Sequence, residues 1–292
     1  MMWMMWASAA LASNGLEWRW EPPGAVAYHV ETVVTTPRGR RWYAEENDVA
    51  RATKQMLLMD LHCSGQPAGK RAVVRCRMDN VEFRGTAIAG EEAALASIME
   101  RDARRLEGRT LSVEMRLDGR FGSVDVESDP QVATSRAARS MDGLRQMVER
   151  ALAPLDLQLP KDGVDKSKSW KRKGLPLSMK LMTSQGTSGS VVLKHSVTGW
   201  NGALARIAST GRGTVAEGMT MEQGTSTMLH ISGVGRAQFN TELGQLDWSE
   251  VSGEVEYAAA NLEGIGNEQR SSFSSWAARI NADGQRVEPT PD

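Results

Sequence analysis

Much that would announce a function is missing from this chain. Cysteine is nearly absent, with two in 292 residues, which excludes a disulfide-dense scaffold. The same scarcity argues against zinc, because two cysteines and four singly scattered histidines (His29, His62, His195, His230) do not supply four ligands at metal spacing. There is no excess of either charge. Lys and Arg number 35 against 36 Asp and Glu, and a net charge of -1 gives no electrostatic case for a nucleic-acid partner. Beyond the N-terminus no apolar run approaches the roughly 20 residues that cross a bilayer, so no transmembrane span is expected in the mature chain.

Catalytic signatures are missing as well. The chain contains no G-x-S-x-G elbow, no H-E-x-x-H and no Walker loop. Gly211-Arg212-Gly213 begins a loose G-x-G, but strand-like residues follow where a dinucleotide site needs a helix. Each histidine lies in an alternating segment, where a solvent-facing or hydrogen-bonded ring is the ordinary role. The sequence therefore predicts no catalytic residues, no metal and no cofactor, although a Ser, His and Asp cluster assembled only by folding stays open as a hydrolase alternative.

What is present describes a β-rich protein. A chain of this length with 40% hydrophobic residues can bury a sizeable core, and its 28 glycines, many set among Ser and Thr in the second half, imply many turns and many strands. The first residues, MMWMMWASAALASNG, form an uncharged apolar run ending Ala10-Leu11-Ala12, a small-x-small pattern of the kind signal peptidase recognises. This predicts a signal peptide over residues 1–12, a mature start near Ser13, a linker over 13–25, and a periplasmic or extracellular location. No cysteine follows the cleavage point, so a lipoprotein anchor is not expected. The run lacks a preceding Lys or Arg and is short, and a buried N-terminal strand or helix is the alternative.

Both cysteines fall in LHCSGQPAGKRAVVRC, residues 61–76. MLLMDLHC and AVVRCRMDNVEF read as two strands joined by a loop containing Pro67 and Gly69. A turn centred between Gly69 and Lys70 sets Cys63 opposite Cys76, at a separation a disulfide accepts. An oxidising compartment favours that bridge; two reduced core thiols are the alternative if the signal peptide is wrong. The same register pairs Leu61 with Met78 and Leu58 with Val81, and brings the like charges Asp60 and Asp79 together. Val74, Cys76 and Met78 share one face while Val81 and Phe83 share the other, so a bulge is expected near residues 79 and 80.

Alternation continues elsewhere: around Tyr28 to Val34, in a hairpin of Arg109 to Leu117 and Arg120 to Glu127 turning at Asp118-Gly119, and at Leu175 to Leu181 and Val191 to Val197. Further strands are predicted over Gly213 to Met221, Thr227 to Leu243, Gln245 to Ala259 and Arg270 to Ile280. Two helices interrupt the pattern: Glu91 to Leu106, stopped by Gly108, and Val132 to Ala153, where apolar residues recur at three and four and Pro154 ends the run. The expected fold is mainly β (α+β): a strongly curved, largely antiparallel sheet from two similar halves, 26–160 and 175–281, with an amphipathic helix between them. A basic linker over 161–174 and a flexible tail over 282–292 complete the expected organisation.

Long strands, a Gly-turned hairpin, an amphipathic helix, then LQLPKDGVDKSKSWKRKG and a second set of strands resemble a group of uncharacterised secreted bacterial proteins and, more distantly, lipoprotein carriers of the LolA and LppX type. The resemblance spans roughly residues 26 to 280, and the carrier type implies a strongly curved antiparallel sheet with helices across its concave side. No carrier residue maps onto a position here. The expectation is a binding module holding a lipid or other apolar small molecule, with Met59, Met78, Met179, Leu181, Val191, Leu193 and Trp200 as candidate lining. The alternative is an envelope or extracellular structural protein with a filled core that meets a partner protein through its surface. Lys166, Lys168, Trp170, Lys171, Arg172 and Lys173 are candidate docking residues for anionic lipid headgroups or polysaccharide, weighed against a solvated loop with Trp170 packed on the sheet.

Overall fold

The computed structural model describes residues 18, 26–36, 53–68, 71–86, 91–116, 119–127, 144–160, 169–173, 188–220, 225–260 and 266–290. Its strands are β1 (Val26–Thr36), β2 (Thr53–Ala68), β3 (Arg71–Thr86), β4 (Thr110–Arg116), β5 (Phe121–Val126), β6 (Ser169–Lys173), β7 (Ser188–Asn201), β8 (Leu204–Thr220), β9 (Thr225–Asn240), β10 (Gln245–Ala260) and β11 (Gly266–Ile280). Helix α1 (Glu91–Ala103) runs into a 3-10 turn at Arg104–Leu106, and helix α2 (144–151) into another at Ala153–Leu155.

All eleven strands join one antiparallel sheet in the order β5-β4-β3-β2-β1-β11-β10-β9-β8-β7-β6. Two meanders, β1 to β5 and β6 to β11, meet where β1 pairs with β11, so the sheet is single and its edges are β5 and β6. Strict alternation gives the sheet one apolar face. Leu111, Val113 and Met115 of β4, Tyr28 and Val30 of β1 and Ile231 and Phe239 of β9 all point to it and are buried, and α1 and α2 cover it.

The cysteine hairpin has the expected register: Cys63 opposes Cys76, their Cα atoms lie 3.9 Å apart, and they are bridged. Asp60 opposes Asp79 and Leu61 opposes Met78, but Leu58 pairs with Glu82 rather than Val81. The extra residue sits in β3, where Asn80 takes a left-handed φ of 55° and the Glu107 carboxylate accepts the N–H groups of Asn80 (2.9 Å) and Val81 (2.8 Å). That bulge moves Phe83 onto the face of Met78, completing the apolar surface that plain alternation would have broken.

Several boundaries differ from those read in the sequence. Strand β8 begins at Leu204, well before Gly213, because Gly211 and Gly213 leave gaps in the apolar pattern within a continuous strand. Strand β9 ends at Asn240, whose side-chain oxygen caps the turn by accepting the N–H groups of Glu242 and Leu243. Part of the basic linker is edge strand β6, paired with β7. Trp18, assigned to a linker, is 5% exposed. Residues 282–290, assigned to a tail, lie along the sheet: Val287 N–H donates to the Arg279 carbonyl, Gln238 exchanges two hydrogen bonds with Thr290, and the Arg286 guanidinium stands over Trp276. The signal segment, the Leu175 to Leu181 strand and residues 132–143 of the second helix lie outside the described residues.

The two edges come close together. Flat, eleven strands would be roughly 48 Å wide at the usual spacing. Yet Asp156 accepts the N–H of Phe121 on edge β5 (3.1 Å), while the Gln158 and Leu159 carbonyls accept from Trp170 Nε1 (2.6 Å) and from Arg172, both on edge β6. Residues 156–159 extend no more than about 14 Å, so the sheet must curl until a short strap spans its open seam. Trp18 reinforces the closure. Its indole donates to the Leu157 carbonyl (3.1 Å), meets Phe239 edge-on at 5.4 Å and covers Gly119 at the turn before β5.

Candidate functional site

Cross-strand pairing lines up Gly211, Gly233 and Gly253 in one row ending at Phe273, with Gly235 in the next. Inward side chains are thus missing from the middle of β8, β9 and β10, and this bare floor lies beneath the strap. The result is an apolar cavity of about 60 Å³ lined by Ala153, Pro154 and Leu157 above and Leu193, Gly211, Gly233, Gly235 and Val251 below.

Polar groups border it too, among them Asp156, Ser209, Ser249 and His195. His195 pairs across β7 and β8 with Ser209, and its Nδ1 lies 2.7 Å from Ser209 Oγ. Trp170 stacks on the imidazole with ring centroids 5.1 Å apart. His195 is 5% exposed, and its Nε2 is buried without a hydrogen-bond partner among the described residues. Burial, aided by the nearby Arg172 guanidinium, lowers its pKa from 6.5 to about 4, so the ring is neutral at physiological pH. A neutral imidazole held at Nδ1 by a hydroxyl can present Nε2 as a single donor or acceptor.

The candidate lining residues do not converge on this cavity. Leu193 lines it. Val191 is fully buried on the same face, and Trp200, half-buried, packs on the core beyond a register shift in β7. Met59 and Met78 are 0% exposed in the core of the first half. Met179 and Leu181 lie outside the described residues, as do Lys166, Lys168 and the side chain of Lys173. Trp170 and Arg172 bind the strap, while Lys171 is exposed. Sequence reasoning missed Ser209, the strap and Trp18. The alternation of Leu155, Leu157 and Leu159 was the available signal for an extended, half-buried strap.

On the opposite face a second polar constellation resolves the Asp60–Asp79 conflict. Asp60 binds His29 Nδ1 (2.6 Å) and accepts from Asn80 Nδ2 (2.7 Å), while Asp79 is gripped by Arg77 (2.7 Å) and lies 3.4 Å from His62 Nε2. His29 is also covered by Trp276 at 5.1 Å. These contacts give each carboxylate its own partners, which is a structural role. Among the described residues no group of three or more His, Cys, Asp or Glu side chains is placed to hold a metal ion, and no helix is long and apolar enough to cross a membrane. The same face carries a groove of about 650 Å³ over β7 to β11, floored by Thr210, Ser232, Ser252 and Ser272 together with Val192 and the exposed Val234, and flanked by Lys194, Arg212 and Glu254.

Fold and cavity together define an open, curled, antiparallel β-sheet protein whose seam is strapped on its apolar side. No family model matches the chain, and no curated protein matches it. Among solved structures it is similar to that of P47 from Clostridium botulinum A2, at 9% identity and a TM-score of 0.22 over 83% of this chain and 80% of that one.

Proposed function

We propose that this protein is a non-enzymatic, exported binding protein that holds an apolar ligand between its curled sheet and the strap. The observation that carries the reading is the glycine floor. A core built only for stability would fill the space beneath Pro154 and Leu157, whereas here about 60 Å³ stays open between the strap and the glycine row, with Leu193 and Val251 reaching over Gly211 and Gly235 to make its walls apolar. The open sheet with helices on its apolar face also supports the carrier likeness, and the Cys63–Cys76 bridge supports an oxidising compartment. Protein purified from its native host, extracted with organic solvent and assayed by mass spectrometry should release a lipid or comparable apolar molecule in near-stoichiometric amount. Recovery of none, with no uptake by delipidated protein, removes the reading.

The groove on the opposite face favours a second reading, an envelope protein acting through its surface. Its hydroxyl floor and flanking charges suit a hydrated polar polymer, and Arg212→Glu should then weaken retention on purified envelope material without altering the apolar cavity.

A further inference from the structure

We propose that the groove over β7 to β11 binds an acidic polysaccharide, a sugar polymer bearing carboxylate or phosphate groups, and that Lys171, Lys194 and Arg212 receive its charges. The inference rests on the surface reading above and specifies its ligand. It begins with charge placed where the fold gains nothing from it. Antiparallel pairing sets Lys171 of β6 directly opposite Lys194 of β7, and Arg212 lies diagonally beyond Lys194, two residues along β8 from its partner Thr210. All three are exposed, and none meets a carboxylate among the described residues. Like charges directly opposite on one face are unfavourable, so this pairing costs stability unless an outside anion answers it. Neighbouring cations of the same face are matched within the sheet: Arg236 by Glu250, and Arg270 by Glu256 and by Glu254 at 3.7 Å. Glu254 is the one carboxylate among the described residues lining the groove, and Arg270 offsets it, so the end of the groove at β7 and β8 is left positive.

The lining decides between kinds of anion. Hydroxyls of Thr210, Ser232, Ser252 and Ser272 stand beside the small apolar surfaces of Val192 and Val234 in a groove of about 650 Å³. A sugar ring presents the matching pair of characters, hydroxyl edges and C–H faces, and hydroxyl side chains can both donate and accept along such an edge. Single-stranded nucleic acid stacks its bases on exposed aromatic rings. The one aromatic residue among those lining the groove, Phe273, is 3% exposed and belongs to the apolar core. A lipid surface is held by cations beside an amphipathic aromatic or apolar anchor, and here Trp170 is turned away to the Gln158 carbonyl of the strap.

The test titrates the full chain by calorimetry with hexagalacturonate, its fully methyl-esterified counterpart, hexaglutamate and phosphatidylglycerol vesicles. Hexagalacturonate is expected to bind about ten-fold or more tightly than its ester or hexaglutamate at low salt, and to lose most of that advantage at about 0.5 M NaCl. Lys194→Gln combined with Arg212→Gln should bring it down to about the affinity of the ester. Arg75→Gln combined with Arg116→Gln removes the same charge from exposed positions outside the groove and should leave binding intact, which separates the site from net charge. If acid and ester bind equally at every salt concentration, the charge assignment falls while the polymer reading stands. If neither sugar binds, both fall. Equal binding of hexaglutamate overturns the sugar part of the proposal, and capture by vesicles without binding of hexagalacturonate makes the partner a membrane instead. Equal losses in the two double variants also overturn it. All four substituted residues are exposed, and unchanged Tm values would show that each variant folds.

Discussion

His195 is neutral because it is buried, and that has a consequence for stability. Its folded pKa of about 4 lies below the 6.5 of an exposed histidine, so between those values the unfolded chain binds a proton that the folded chain refuses. Stability is therefore unaffected above pH 6.5, declines as pH falls through this window, and is lower by roughly 3 kcal/mol once pH drops below about 4. Urea denaturation at pH 7, 5.5 and 4.5 should show that decline, and His195→Gln, which does not titrate, should flatten it. A second residue-scale prediction concerns the glycine row, whose Gly253 lies against the Phe273 ring outside the cavity. A Cβ on Gly253 would lie 2.5 Å from the Ser232 carbonyl oxygen and 2.8 Å from the Phe273 ring, both rigidly held. Gly253→Ala should destabilise by about 1–3 kcal/mol. At Gly211 the nearest atom is the mobile Leu193 Cδ2 at 2.9 Å, so Gly211→Ala should lower the Tm less. Equal losses at both positions would contradict this account of the floor.

Hairpin β2–β3 shows how one element carries two separable devices. The bridge between Cys63 and Cys76, 13 residues apart, shortens the unfolded chain's reach, and a loop of that size is worth about 3 kcal/mol on the chain-entropy model. The paired Cys63→Ala and Cys76→Ala variant should lose about that much in guanidinium titrations, whereas reductant alone should act slowly, since both sulfurs are buried. The bulge depends instead on backbone conformation. Asn80 occupies the left-handed region at φ 55°, so Asn80→Gly should be tolerated and Asn80→Val should destabilise by about 1–2 kcal/mol. Glu107→Ala, which strips the acceptor from two bulge N–H groups, should cost a comparable amount. Equal Tm values for the Gly and Val variants would mean the strand had shed its bulge.

For the molecule as a whole, the decisive feature is that the sheet closes through side chains rather than through strand pairing. Edges β5 and β6 are joined by Asp156, Gln158 and Leu159, with Trp18 locking the strap to Gly119 and Phe239. Such a seam opens more readily than a hydrogen-bonded ladder, which suits the binding role proposed above. Trp18→Ala should destabilise by about 3–5 kcal/mol, the usual loss for a buried tryptophan. Hydrogen exchange should localise the effect: the Phe121 amide and the Trp170 indole N–H should lose protection well before amides at the β1–β11 junction. Uniform loss across the sheet would show that the strap is part of one cooperative unit with the central strands.

The sequence by itself determined most of the strands, their apolar face and the local register of the cysteine hairpin, though not edge strand β6 or the start of β8. Those properties follow from period-two alternation and from turns closed within a few residues. The like-charge pair at Asp60 and Asp79 and the face switch before Phe83 were legible for the same reason, and so was the bulge that reconciles them. The pairing of β1 with β11 was not legible, because Thr32 and Ser275 meet across 243 residues and local patterning carries no record of such a partner. Nor was the cavity. Glycine contributes nothing to a hydrophobic pattern, so Gly233 and Gly253 passed unmarked inside predicted strands and Gly211 lay just outside one, and only the aligned strands bring them into a single row. His195 looked like any strand histidine until Ser209, Trp170 and Arg172 surrounded it. Periodicity fixes which way a side chain points, whereas its neighbours, its charge state and any space left beside it are set by long-range contacts that exist only in the folded chain.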